Sequence, residues 1–200
     1  GIDNNAPHNY GTINTATGAF TTVGALSGAI LPATALTGMK FDPLNGLVYV
    51  SSATQLFTVN LATGATVLVG TFNCIGAGLV IDIAISNTGQ MYGNEIALDQ
   101  LIRIDKTNAT CTVVGPTNVA TNFAQGMDFD WSDNTLYAWM YTGGGANRLA
   151  SINLTTGAAT TLTNGVNEEN EGAVRVPFGT PPTINIADAS VTEGNAGTVP

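Results

Sequence analysis

The sequence predicts an all-β fold assembled from four repeats of a four-stranded antiparallel sheet, and three observations carry that prediction. The string at residues 13–24, which reads Ile-Asn-Thr-Ala-Thr-Gly-Ala-Phe-Thr-Thr-Val-Gly, returns at 59–70, 104–115 and 152–163. The copies end 46, 45 and 48 residues apart, and a fixed period of about 40 to 50 residues marks propellers or solenoids. Each copy reads as two alternating strands around a tight corner, at Gly18, Gly64, Asn108 or Gly157, where Gly and Asn tolerate the positive φ of hairpin turns. Strong helical periodicity occurs nowhere. Together these features predict a β-propeller of four-stranded blades.

A second hairpin precedes the first in three copies. Its strands flank Asn45-Gly46, Thr88-Gly89 and Asp133-Asn134, and it closes on Tyr49, Tyr92 and Tyr137. The innermost strands are expected near 38–42, 79–85, 126–131 and 172–177. The chain opens within a repeat and ends its repeats on a lone first strand. Joined in one sheet, the two ends would close a four-bladed ring and hide its edges. Because residues 1–3 start where the other copies already have their Tyr, a segment of a larger propeller is the alternative.

Two hundred residues suffice for one well-cored domain. Charged residues make up 10% and apolar residues 44%, and no apolar run approaches the roughly 18 to 20 residues of a membrane span. A net charge of −9 disfavours nucleic acid and anionic membrane surfaces, which are bound by clustered Lys and Arg. No leader is visible at Gly1. Abundant Thr, Asn, Gly and Ala with scarce Lys point to an extracellular or cell-surface location. Cys74 and Cys111, the only cysteines, permit one disulfide in an oxidising compartment without demanding it. A bridge closing a loop of roughly 40 residues would stabilise by about 3 to 4 kcal/mol.

The recurring Ile-Asn-x-x-Thr-Gly-x-x-Thr-x-Val-Gly and Gly-Met-x-Phe-Asp-Pro-x-x-Gly-x-x-Tyr strings resemble secreted bacterial β-propellers of the broad YVTN-like kind, over residues 1–178. The third copy departs at Asn108 and Cys111, and the fourth lacks the terminal Gly. Residues 183–200, opening Thr-Ile-Asn-Ile-Ala-Asp, look like the first strand of a Calx-beta domain. That resemblance implies a β-sandwich module, often calcium-binding, in a mosaic surface protein, here truncated to a linker and opening strand at 179–200. A lone strand lacks partners of its own, so it is expected either to be cut from its domain or to add to a sheet edge of a neighbouring copy.

Candidate binding residues come from aligning the inner strands. Each places a charge between two apolar residues: Met39-Lys40-Phe41, Ile81-Asp82-Ile83, Met127-Asp128-Phe129 and Val174-Arg175-Val176. Two of the five basic residues fall in this set. The pattern predicts a mutually neutralising ring at the channel, Lys40 pairing with Asp82 and Asp128 with Arg175, because unpaired buried charge is costly. The competing reading is a polar channel mouth for an ion or small ligand. Asp128, Asp130 and Asp133 have the oxygen density calcium prefers but lack an EF-hand frame. Asp42 and Asp130 occupy matching places where turn-closing roles are expected. Trp131, Trp139 and Tyr141 suggest an aromatic platform for a glycan, against a blade-core role. Glu168, Glu169 and Glu171 read as a solvated acidic loop, and His8 as an exposed loop residue.

No triad elbow, Walker loop, zinc spacing or nucleotide fingerprint occurs, so no catalytic residue and no cofactor other than calcium is expected. The reading is a non-enzymatic structural or adhesion module of a larger surface or secreted protein, with fibre assembly as one form of that role. Its partners would be other domains of the parent chain, and self-association would run through residues 183–200. A glycan- or calcium-binding propeller is the alternative, and a propeller hydrolase or lactonase the third reading.

Overall fold

In a computed structural model, residues 1–5, 7–31, 34–76, 78–122, 125–165 and 172–174 are described. They form fifteen strands in three complete blades and a partial one, and no helix. Blade 1 holds β1 (Asn9–Ile13) and β2 (Phe20–Ala25), with Ile2 bridged antiparallel to Tyr10. Blade 2 runs from β4 (Leu36–Asp42) through β5 (Leu47–Ser52) and β6 (Gln55–Val59) to β7 (Ala65–Thr71). The short β3 (Ser27–Gly28) adds to β7 in parallel as a fifth strand.

Blade 3 comprises β8 (Val80–Ile85), β9 (Met91–Glu95), β10 (Gln100–Ile104) and β11 (Cys111–Pro116). Blade 4 comprises β12 (Gly126–Asp130), β13 (Thr135–Tyr141), β14 (Asn147–Ile152) and β15 (Ala159–Asn164). Each complete blade is an antiparallel meander from an inner to an outer strand, the arrangement expected from the repeat.

The turn residues explain why the meanders form. Gly46, Gly89 and Asn134 carry positive φ at the corner after each inner strand, and Gly18, Gly64 and Gly157 do so before each outer strand. In the third copy the left-handed residue is Ala109 (φ 60°), one position beyond the expected Asn108. The turn keeps the length of its relatives, since Ala109 N donates to Asp105 O as Gly64 N donates to Asn60 O. Asn108 instead accepts from the Thr110 amide and hydroxyl at 2.8 and 2.7 Å.

The cores lie between blades. Val48, Val50, Phe57 and Val59 pack with Ile2, Leu26 and Met39 between blades 1 and 2. Leu56, Phe72, Ile83, Met91, Ile102 and Ile104 fill the space between blades 2 and 3, and Leu101, Met127, Phe129, Leu136 and Met140 that between blades 3 and 4. Strand β8 is buried along its whole length, which is why it reads as a continuous apolar run broken only by Asp82. Strand β13 alternates: Leu136, Ala138 and Met140 face the core, while Tyr137, Trp139 and Tyr141 are half-buried on the other face.

Close approach at the seams fixes two of the repeated glycines. A Cβ on Gly70 would fall 2.2 Å from the Asn108 carbonyl oxygen, and one on Gly115 would fall 2.1 Å from that of Thr156. Thus the Val-Gly that ends an outer strand meets the turn of the next blade. The equivalent residue of blade 4 by register, opposite Leu149 as Gly115 is opposite Leu101, is Thr163.

Candidate functional site

The inner strands β4, β8 and β12 stand side by side at the centre, which brings Lys40, Asp82 and Asp128 together. The Asp82 carboxylate turns into the seam between blades 3 and 4. Its Oδ2 accepts the Met127 amide at 2.7 Å and its Oδ1 the Ile83 amide at 2.8 Å. Asp128 repeats the arrangement one blade on, with Oδ2 accepting the Val174 amide at 3.0 Å and Oδ1 the Phe129 amide at 3.0 Å. Each acid therefore ties its own strand to the residue one before the next charge in the alignment. A buried amide at a blade seam needs an acceptor, and these carboxylates provide it.

Lys40 pairs with Asp128, Nζ to Oδ1 at 3.3 Å, and not with Asp82 as the sequence suggested. The carboxylates of both acids accept seam amides in the same way, and Asp128 Oδ1 takes the Lys40 ammonium in addition to the Phe129 amide. Arg175, and with it the expected Asp128–Arg175 pair, lies outside the described residues. So do Glu168, Glu169, Glu171 and residues 179–200.

Beside Lys40 and Asp82 opens a cavity of about 690 Å³, also bounded by Gly1, Ile13, Leu36, Met39 and Gly172. Asn4 and Thr37 add polar groups to its walls beside the two charges. A second cavity, of about 590 Å³, lies on the rim of blade 3 between Asn73, Gln90, Arg103, Lys106 and Thr112.

The three aromatic residues are not brought together. The Trp131 indole donates to the Ile85 carbonyl at 2.9 Å and packs on the core between blades 3 and 4. Trp139 and Tyr141 share the opposite face of β13, where Gly172 lies against the Trp139 indole and the Tyr141 hydroxyl accepts the Gly145 amide at 3.2 Å. Nor do the acids converge. Among the described residues no three His, Cys, Asp or Glu side chains are grouped to hold a metal ion. Asp130 accepts from the Ser132 amide and hydroxyl at 2.8 and 2.6 Å, and Asp133 from the Thr135 amide at 2.9 Å. The hydroxyl of Ser132, and then its amide, hold Asp130 below the ordinary aspartate range, and Thr107 does the same for Asp105.

Asp42 closes its turn by accepting the Leu44 amide at 3.0 Å, and its other oxygen meets Lys106 of blade 3 in a buried ion pair that sequence reading missed. Cys74 and Cys111 are bridged, with Cα atoms 5.4 Å apart. The bridge ties the entry of blade 3 to its own outer strand. His8 is buried, not exposed as its loop position suggested, and neither ring nitrogen has a hydrogen-bond partner among the described residues. Glu95, fully buried, also escaped notice: it gathers the Leu79, Ala97 and Leu98 amides at 2.7 to 3.1 Å. A single acid at the end of an otherwise uncharged strand was the signal available.

The family model described as "Domain of unknown function (DUF4394)" matches residues 6–172. The chain belongs to the DUF4394 family. No curated protein matches this DUF4394 chain, but solved structures do. A nidogen/laminin complex is similar with 14% identity and a TM-score of 0.60, over 82% of this chain and 60% of that one. A catalytically inactive virginiamycin B lyase from Staphylococcus aureus with quinupristin gives 14% identity and 0.51, over 80% and 53%. The PQQ-bound aldose sugar dehydrogenase of Streptomyces coelicolor gives 14% and 0.52, over 81% and 64%. At such identities the likeness establishes the fold, a β-propeller, and the activities of these proteins differ among themselves. The DUF4394 chain spans between half and two thirds of their length.

Proposed function

We propose that this propeller is a non-enzymatic structural module of a larger extracellular or cell-surface protein, working through its blade faces and edges. The observation that carries the reading is the use made of the inner-strand acids. Asp82 and Asp128 tie neighbouring blades through backbone amides, so the channel charges serve the frame. The Cys74–Cys111 bridge suits an oxidising compartment, and the acidic, Lys-poor surface suits a secreted chain. Neighbouring domains of the parent chain are the natural partners. Immunogold electron microscopy of intact cells of the source organism tests the location: label on the surface or on extracellular material supports the reading, and label confined to the cytoplasm overturns it.

The cavity beside Lys40 and Asp82 favours one second reading, a module that binds a small polar ligand such as a glycan or calcium. Trp139 touches Gly172, which lines that cavity, so its fluorescence is a natural reporter. A saturable change on titration with oligosaccharides or calcium supports the second reading, and a flat response supports the first.

A further inference from the structure

Blade 1 differs from the other three where blades meet. In blades 2 to 4, the turn before the outer strand receives the end of the preceding blade's outer strand. The Ala25 carbonyl stands 2.4 Å from where a Gly64 Cβ would be, Gly70 packs on the Asn108 carbonyl, and Gly115 on that of Thr156. The chain leaving the preceding blade then lies on the outer strand. Ser27–Gly28 pair with Ala65–Thr66, Asn73 Oδ1 accepts the Cys111 amide at 2.9 Å, and the Thr117 carbonyl accepts the Ala159 amide at 2.9 Å.

The corresponding parts of blade 1 are the Asn14 to Gly18 turn and β2. Nothing lies within 4 Å of a Cβ placed on Gly18, and among the described residues no segment pairs with the outer side of β2. The strand is almost wholly exposed, Phe20 and Val23 included. It carries no charge and no proline, the devices that keep edge strands from pairing. Blade 4 cannot fill this place by repeating the internal seam. Its Thr163 stands where Gly70 and Gly115 leave just over 2 Å for a Cβ.

We propose that β2 and the Asn14 to Gly18 turn accept residues 183–200 of a second copy as an added strand. The inference deepens the structural-module reading and rests on it. The molecule itself shows that an outer edge takes a fifth strand, since β3 already adds to β7. The donor is uncharged over 183–187 and alternates around Ile184 and Ile186, and 26 residues follow Val174, which Asp128 holds at the centre. Extended at roughly 3.3 Å per residue, they reach well beyond their own blade. Donor and acceptor are different surfaces, so the contact is heterologous and propagates head to tail.

The test uses the full chain in light scattering and negative-stain microscopy. Wild-type protein is expected to form concentration-dependent linear chains. Val23→Lys in the acceptor and Ile186→Lys in the donor are each expected to give monomers with unchanged circular dichroism. Mixing the two variants restores a dimer and nothing longer, because one acceptor and one donor remain intact. Val67→Lys, on the β7 strand that already has its fifth partner, leaves the chains unaffected. A wild-type monomer at every concentration overturns the proposal, as do chains that survive both substitutions. Neither result bears on where the protein is found, which the labelling experiment reads separately.

Discussion

The Asp82 carboxylate accepts the Met127 amide at 2.7 Å across the seam between blades 3 and 4, and this bond explains why an acid stands in the middle of a wholly buried strand. Replacing Asp82 with Ala leaves that amide buried without its acceptor. A hydrogen bond to a charged group contributes about 1.5 to 3 kcal/mol, and loss of one partner adds desolvation. Asp82→Ala is therefore expected to cost about 2 to 3 kcal/mol in urea unfolding, and Asp82→Asn, which keeps an acceptor oxygen, less. Equal stabilities for wild type and Asp82→Ala would contradict the seam assignment.

The glycine seams give a prediction with an internal control. Gly115→Ala forces a methyl into the Thr156 carbonyl, and overpacking of this kind costs about 1 to 3 kcal/mol. Thr163→Gly, at the matching place in blade 4, relieves no clash and should lose only about 0.5 to 1 kcal/mol, the cost of glycine in a strand. Thermal denaturation of the two variants should rank them in that order.

Reduction of the Cys74–Cys111 bridge frees a loop spanning 37 residues. The chain-entropy treatment gives about 4 kcal/mol for a loop of that length. The midpoint of thermal unfolding should therefore drop markedly under a reductant that leaves a Cys74→Ala, Cys111→Ala double variant unmoved. A wild-type midpoint insensitive to reductant would show that the bridge contributes little.

Much of the fold was legible because the repeat carries its turns with it. Gly46, Gly89 and Asn134 stand at one corner of the three complete blades, and Gly18, Gly64 and Gly157 at the other corner of blades 1, 2 and 4, each with the left-handed backbone their residue type allows. The third corner was misplaced by one residue because Ala109, a poor left-handed former, was passed over for Asn108. The inner-strand charges were legible as a set, but their pairing was not. Which charge meets which depends on how adjacent blades are set against one another and on seam amides such as Met127 N, and neither is written in the local pattern. The Asp42–Lys106 pair was hidden for the same reason: it depends on a neighbouring blade that sequence spacing does not place.

Asp105 and Asp130 set an acid limit. Hydrogen bonds from the Thr107 and Ser132 hydroxyls, and then from their amides, lower both carboxyls. A lowered folded-state value means that the contribution is complete above the unfolded aspartate value of about 4 and disappears as pH falls through the folded one. Stability should therefore decline on the acid side. In an NMR titration, Thr107→Val should return Asp105 upward toward the ordinary range, and Ser132→Ala should do so for Asp130. Unchanged titrations in both variants would remove this cause.

Hydrogen exchange at the Met127 amide tests the central claim most directly, that the channel acids hold the blades together. In the wild-type protein this amide should exchange as slowly as the core amides of β8, and in Asp82→Ala it should become selectively fast while Ile102 and Leu136 remain protected. Rapid exchange at Met127 in the wild type, or protection that survives the loss of Asp82, would contradict it.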